Sequence, residues 1–130
     1  MAIHILLVAL AYSGTKRLTT TIPSLGLCYK KLVGYLGFDS SEIKILVDKV
    51  DDVQMPHSSK TVVEQLKGPR QMMENLEAIV ASSKQGDCML YFFWVRGNDD
   101  GMDFGPMNPM LTGKLIACSL NPFLNIFAFL

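Results

Sequence analysis

The clearest signal along the chain is the uncharged run Cys88-Met89-Leu90-Tyr91-Phe92-Phe93-Trp94-Val95. The turn pair Gly86-Asp87 opens it, and Arg96-Gly97-Asn98-Asp99-Asp100-Gly101 ends it. A short apolar run between turn signals predicts a strand buried on both faces. Such a strand is expected in the middle of a parallel sheet, with helices covering it. Ile3 to Ala11, rich in Ile, Val and Leu, predicts the first strand. Ile43 to Val47 predicts another, with Ile43, Ile45 and Val47 on one face and Lys44 and Leu46 on the other.

The segments between follow the helical period. Thr19-Thr20-Thr21-Ile22-Pro23 carries helix-start chemistry. Leu25, Cys28, Tyr29, Leu32, Val33 and Leu36 then recur at three- and four-residue spacing, and Gly37 ends the helix. Asp48 to His57 predicts a loop, and Ser58 or Ser59 a cap for a short helix reaching Leu66. Gly68-Pro69 starts a further helix over 70–83, with Met73, Leu76, Ile79 and Val80 as its buried face. Alternating strands and helices predict an α/β fold, a mainly parallel sheet between two helical layers. After Val95 the pattern fails. Arg96 to Gly113 is rich in Gly, Asp, Asn, Pro and Met, Lys114 to Leu120 predicts a fourth strand, and Pro122 to Leu130 an apolar tail. The expected organisation is one domain over 1–120, incomplete on its C-terminal side, and a tail over 121–130.

Composition narrows the function classes. With 49% hydrophobic and 18% charged residues the chain is rich enough in core-forming side chains to exclude global disorder. Twelve basic residues balance twelve acidic ones without a basic stripe, which argues against nucleic acid as a partner. Ala9-Leu10-Ala11 resembles a signal-peptidase site, but the residues before it contain no Lys or Arg, so a buried strand is the expectation. The C-terminal apolar stretch is interrupted by Ser119, Asn121, Pro122 and Asn125, which argues against a membrane span. Cys28, Cys88 and Cys118 are widely spaced, with no paired cysteine motif. That pattern favours a reducing, cytoplasmic setting over a disulfide framework, and argues against zinc.

Candidate chemistry lies where strands end, because open α/β sheets work at their carboxyl edge. Arg96 sits there. It either binds an anion or closes a turn at the surface, and it is a poor general base because it holds its proton near neutral pH. Asp99, Asp100 and Asp103 form an acidic loop that reads either as a solvated turn or as a contact for a hard cation such as calcium. Cys118 reads either as a weak candidate nucleophile or as a buried inert thiol, since neither His4 nor His57 falls at a strand end to activate it. A single Gly14 follows the first strand, so there is no glycine-rich phosphate loop.

Taken in order, these stretches resemble the front half of a metacaspase, a caspase-like cysteine peptidase. The likeness covers roughly 3–103. Tyr12-Ser13-Gly14-Thr15-Lys16 is similar to the family's Tyr-Pro-Gly-Thr-Lys after an apolar first strand. Tyr29-Lys30-Lys31-Leu32-Val33-Gly34-Tyr35-Leu36-Gly37-Phe38 is similar to the family's helix end. Ile43 to Asp48 resembles its second strand, and Gly86-Asp87 precedes the third in both. The resemblance implies a caspase-like three-layer fold and an ancestry of cleavage after Arg or Lys, with calcium as a possible activator. The catalytic motifs depart from the family. Its Tyr-Ser-Gly-His-Gly aligns with Phe93-Trp94-Val95-Arg96-Gly97, so Arg96 stands where the general base belongs. Ser24 stands where an Asp contacts the basic substrate residue, and the Asp-Ser-Cys-His-Ser-Gly string is absent, Cys118-Ser119 being its nearest echo. An inactive peptidase-like domain is therefore expected. The first alternative is a binding or regulatory module that pairs an open sheet edge with a full-length metacaspase or with itself. The second is a small α/β ligand-binding domain.

Overall fold

The computed structural model describes residues 2–98 and 101–103. Four parallel strands form one sheet in the order β3-β2-β1-β4. They are β1 (Ile3–Ala9), β2 (Ile43–Val47), β3 (Val62–Gln65) and β4 (Cys88–Trp94). The fold is α/β, as the alternation predicts. Helix α1 (Thr21–Lys30) covers one face of the sheet and helix α2 (Pro69–Ser82) the other.

Among the described residues the interior strands are β1 and β2, and β4 is not one of them. β1 pairs with β2 on one side and β4 on the other. Alternation sends Leu6, Val8, Leu10 and Tyr12 into the α2-side core, with Leu46, Met72, Leu76, Met89, Tyr91 and Phe93. Ile5, Leu7, Ala9 and Ala11 enter the α1-side core, with Leu25, Tyr29, Leu32, Ile43 and Ile45. β4 pairs with β1 alone among the described residues. Its odd positions are buried, while Cys88, Leu90, Phe92 and Trp94 are only half-buried. Its uncharged sequence resembles that of an interior strand because aromatic side chains stand on both faces. Only one of those faces is sealed.

Two further expectations are corrected. The segment after Ser59 is strand β3, not a short helix. Thr61, Val62 and Val63 are β-branched, and Val62 to Gln65 runs parallel beside Lys44 to Val47. Lys44 Nζ lies 3.0 Å from Glu64 Oε1 across this pair. The residues after β4 form a hairpin of β5 (Arg96–Asn98) and β6 (Gly101–Asp103), with Arg96 opposite Asp103 and Asn98 opposite Gly101. The described residues on either side of 99–100 thus pair as two short antiparallel strands, where no strand was expected directly after Val95.

The face predicted for α1 holds as far as Leu32. Leu32 itself lies in a single wide turn over Lys31–Tyr35 that continues α1, in which the Leu36 amide donates to the Lys31 carbonyl at 2.9 Å. The extra residue rotates Leu36 off the buried face, leaving it 58% exposed. Gly37 then takes a φ of +77°, and Phe38 donates back to the Leu32 carbonyl. α2 begins with Pro69 in its first turn, as predicted. Its deepest residue is Met72, which is fully buried although Met73 was the expected core position.

The proposed fourth strand over 114–120 and the tail over 121–130 lie outside the described residues. Among the described residues, no helix is long and apolar enough to cross a membrane.

Candidate functional site

The strand order makes one place distinctive. From β1 the chain moves outward through β2 and β3, then crosses back to lay β4 on the other side of β1. β1 and β4 are thus neighbours that the chain does not join directly, and the crevice at the carboxyl edge between two such strands is where such sheets hold ligands. The Leu10 amide donates to the Trp94 carbonyl at 3.0 Å and closes the floor of this crevice.

Tyr12 and Arg96 occupy the crevice. Tyr12 has a φ of +60°, a left-handed conformation that costs a bulky residue about 1–2 kcal/mol. Its surroundings compensate. The Asp48 carboxylate, just past β2, accepts the Ala11 amide at 2.9 Å on Oδ1 and the Tyr12 amide at 2.8 Å on Oδ2. The Tyr12 ring is buried, and its hydroxyl accepts the Arg96 amide at 2.8 Å. The Arg96 guanidinium carbon lies 5.3 Å from the centre of the same ring, a cation–π distance.

The network continues along the edge. Lys49 Nζ donates to Ser13 Oγ at 2.7 Å. The Gln65 side-chain amide donates to the Asp48 carbonyl, and the Gln71 side-chain amide donates to the Gln65 carbonyl at 2.9 Å. Gln71 Oε1 also accepts the Lys67 amide at 2.7 Å, which ties the start of α2 to the end of β3. Hydrogen bonds thus run from β4 through the loops after β1 and β2 to α2. This rim orients backbone and presents cationic groups, Arg96 and Lys49. The ionisable residue that sequence reading passed over is Asp48, together with Tyr12. Both directly follow an apolar strand, and that position was the available signal.

The other residues singled out from sequence fall elsewhere. Ser24 lies on α1 and lines a groove with Cys28, Phe92 and Trp94 on the α1 side of the sheet. Arg96, by contrast, packs on Tyr12, a member of the α2-side core. Asp99, Asp100 and Cys118 lie outside the described residues, and Asp103 stands opposite Arg96 in the hairpin. Among the described residues, no group of three or more His, Cys, Asp and Glu side chains could hold a metal ion.

The histidines are far from suited to activate a described thiol. His4 lies in β1 at the amino edge, where Nε2 is 3.5 Å from Asp87 Oδ2. In the β1–β4 register Cys88 stands opposite Ile3, so alternation puts His4 and Cys88 on opposite faces of the sheet. His57 is exposed in a turn. Cys28 is half-buried, and burial raises its thiol pKa despite Lys31 nearby, the reverse of what a nucleophile needs.

Comparison with protein-family models finds no match, and comparison with curated proteins finds none either.

Proposed function

We propose that this chain is a caspase-like domain of metacaspase ancestry without peptidase activity of its own. The observation that carries it is the fate of Arg96. Where the resemblance calls for an imidazole at the end of β4, the residue is a guanidinium lying over the Tyr12 ring, with its own amide bound to that ring's hydroxyl. A guanidinium cannot take a proton from a thiol near neutral pH. General acid–base help of about 10²–10⁴-fold is lost with the imidazole. The decisive assay offers peptides containing Arg or Lys, with and without calcium. No cleavage is expected, and turnover that disappears in Cys118→Ala would overturn the assignment.

One observation favours a second reading, a binding or regulatory module in a reducing, cytoplasmic setting. β4 pairs on one side only among the described residues, and its α1-side aromatic residues are half-covered. Such an edge accepts an added strand, from a full-length metacaspase or from another copy. Co-purification of this chain with a full-length metacaspase, abolished by Leu90→Lys, which puts a charge on the half-buried face of the edge strand, is the expected result. Binding that survives that substitution would count against an edge-paired complex. Thermal melts of the variant should show a retained fold.

A further inference from the structure

The groove between α1 and β4 is about 510 Å³, within the range of sites that take a ligand or a set of side chains. Its walls include Leu27, Cys28, Leu36, Phe92 and Trp94, with Lys31 on the rim. Leu27 is 61% and Leu36 58% exposed, so large apolar side chains border it on both sides of the α1 segment. Burying such surface is favourable in proportion to its area.

Three features of this chain identify the occupant. The β5–β6 pairing returns the described chain at Asp103 to a place opposite Arg96, two residues past the groove-lining Trp94. The chain from Leu115 to Leu130 carries no charged residue and holds Leu, Ile and Phe throughout, which matches the apolar walls. Finally, a segment tethered through the eleven residues 104–114 is present at an effective concentration in roughly the millimolar range, which a separate partner rarely reaches. We propose that residues 115–130 of this same chain fill the α1–β4 groove and cover Phe92 and Trp94. This assignment is independent of any peptidase ancestry.

Trp94 is the single tryptophan of the chain and lines the groove, so its emission reports occupancy directly. The test compares the full chain with Leu120→Asp/Leu124→Asp/Phe127→Asp and, on the groove wall, with Leu27→Asp. In the unmodified chain Trp94 should emit at short wavelength and resist acrylamide, unchanged on dilution. Both variants should move the emission to longer wavelength and raise quenching several-fold, with far-ultraviolet circular dichroism of the sheet and helices retained. Labelling of Cys28 by a thiol reagent, read by peptide mass spectrometry, should accelerate several-fold in parallel. Solvent-exposed emission from the unmodified chain would overturn the assignment, as would an unchanged signal in Leu27→Asp, whose exposed side chain the rest of the fold does not need. Shielding that is lost on dilution would also overturn it, by assigning the groove to a second copy.

Discussion

The Arg96 amide donates to the Tyr12 hydroxyl at 2.8 Å, while the Arg96 guanidinium lies over the same ring, 5.3 Å from its centre. One buried phenol thereby ties the loop after β1 to the strand end after β4, across the crevice that the sheet order creates. Removing only the oxygen separates the two contacts. Tyr12→Phe keeps the ring but leaves a part-buried amide without that acceptor, so a loss of about 1–2 kcal/mol in urea unfolding is expected.

Asp48 has a similar task on the other side of β1. Its two carboxylate oxygens each accept one backbone amide, from Ala11 and Tyr12. Asp48→Ala removes both acceptors and the support for the left-handed Tyr12 backbone. A loss of roughly 2–3 kcal/mol is expected, since hydrogen bonds to charged groups are worth more than neutral ones. Asp48→Asn should recover only part of it, because its NH₂ group meets an amide donor. Denaturant midpoints of the three proteins give the order.

The residue at the end of β4 allows a direct chemical test. Arg96→His supplies the imidazole that the proposed metacaspase ancestry calls for, yet the described thiols are a half-buried Cys28 on α1 and a Cys88 at the amino end of β4. No cleavage of Arg- or Lys-containing peptides is expected from this variant. A rate above background that vanishes in a second variant, Arg96→His with Cys118→Ala, would show that a working thiol was present all along.

Acid should weaken the amino edge of the sheet. Asp87 accepts the Ala2 amide and the Lys84 amide, each at 2.9 Å, and those bonds hold its carboxyl below the usual 3.8, with His4 adding a smaller effect. A depressed carboxyl contributes stability at pH values above the unfolded-state pKa, and that contribution is lost as pH falls through the folded value. Asp39, held low chiefly by the Ser41 amide, acts in the same direction. Thermal melts as a function of pH should show an acid limb below about pH 4, shallower in Asp87→Asn. An identical limb in that variant would assign the acid sensitivity to other carboxyls.

Met72 tests the α2-side core. It is fully buried among Leu46, Leu66 and Tyr91, whereas Met73 is half-buried. Met72→Ala should cost about 2–5 kcal/mol and Met73→Ala distinctly less. The reverse order in chemical denaturation would mean that α2 is rotated by about one residue, some 100°.

How far the sequence leads is visible in particular residues. The 3.6-residue period placed Leu25, Tyr29 and Leu32 on the buried face of α1. It failed at Leu36 because one wide turn over Lys31–Tyr35 changes the phase, and nothing in the composition of that turn announces it. Val62 and Val63 lie in a strand because β2 offers them an edge to pair with. Four residues with a Glu and a Gln among them carry too weak a pattern to say so in isolation.

The sequence by itself determined the class of fold and most of its elements, because alternation between strand-like and helix-like periods is local information. It also determined that a guanidinium follows β4, a fact of chemistry independent of shape. Tertiary structure alone decided which strands lie inside the sheet, since burial on both faces depends on neighbours far along the chain. It alone brought Asp48 to the Ala11 and Tyr12 amides, and Tyr12 to Arg96, across separations that no local pattern spans.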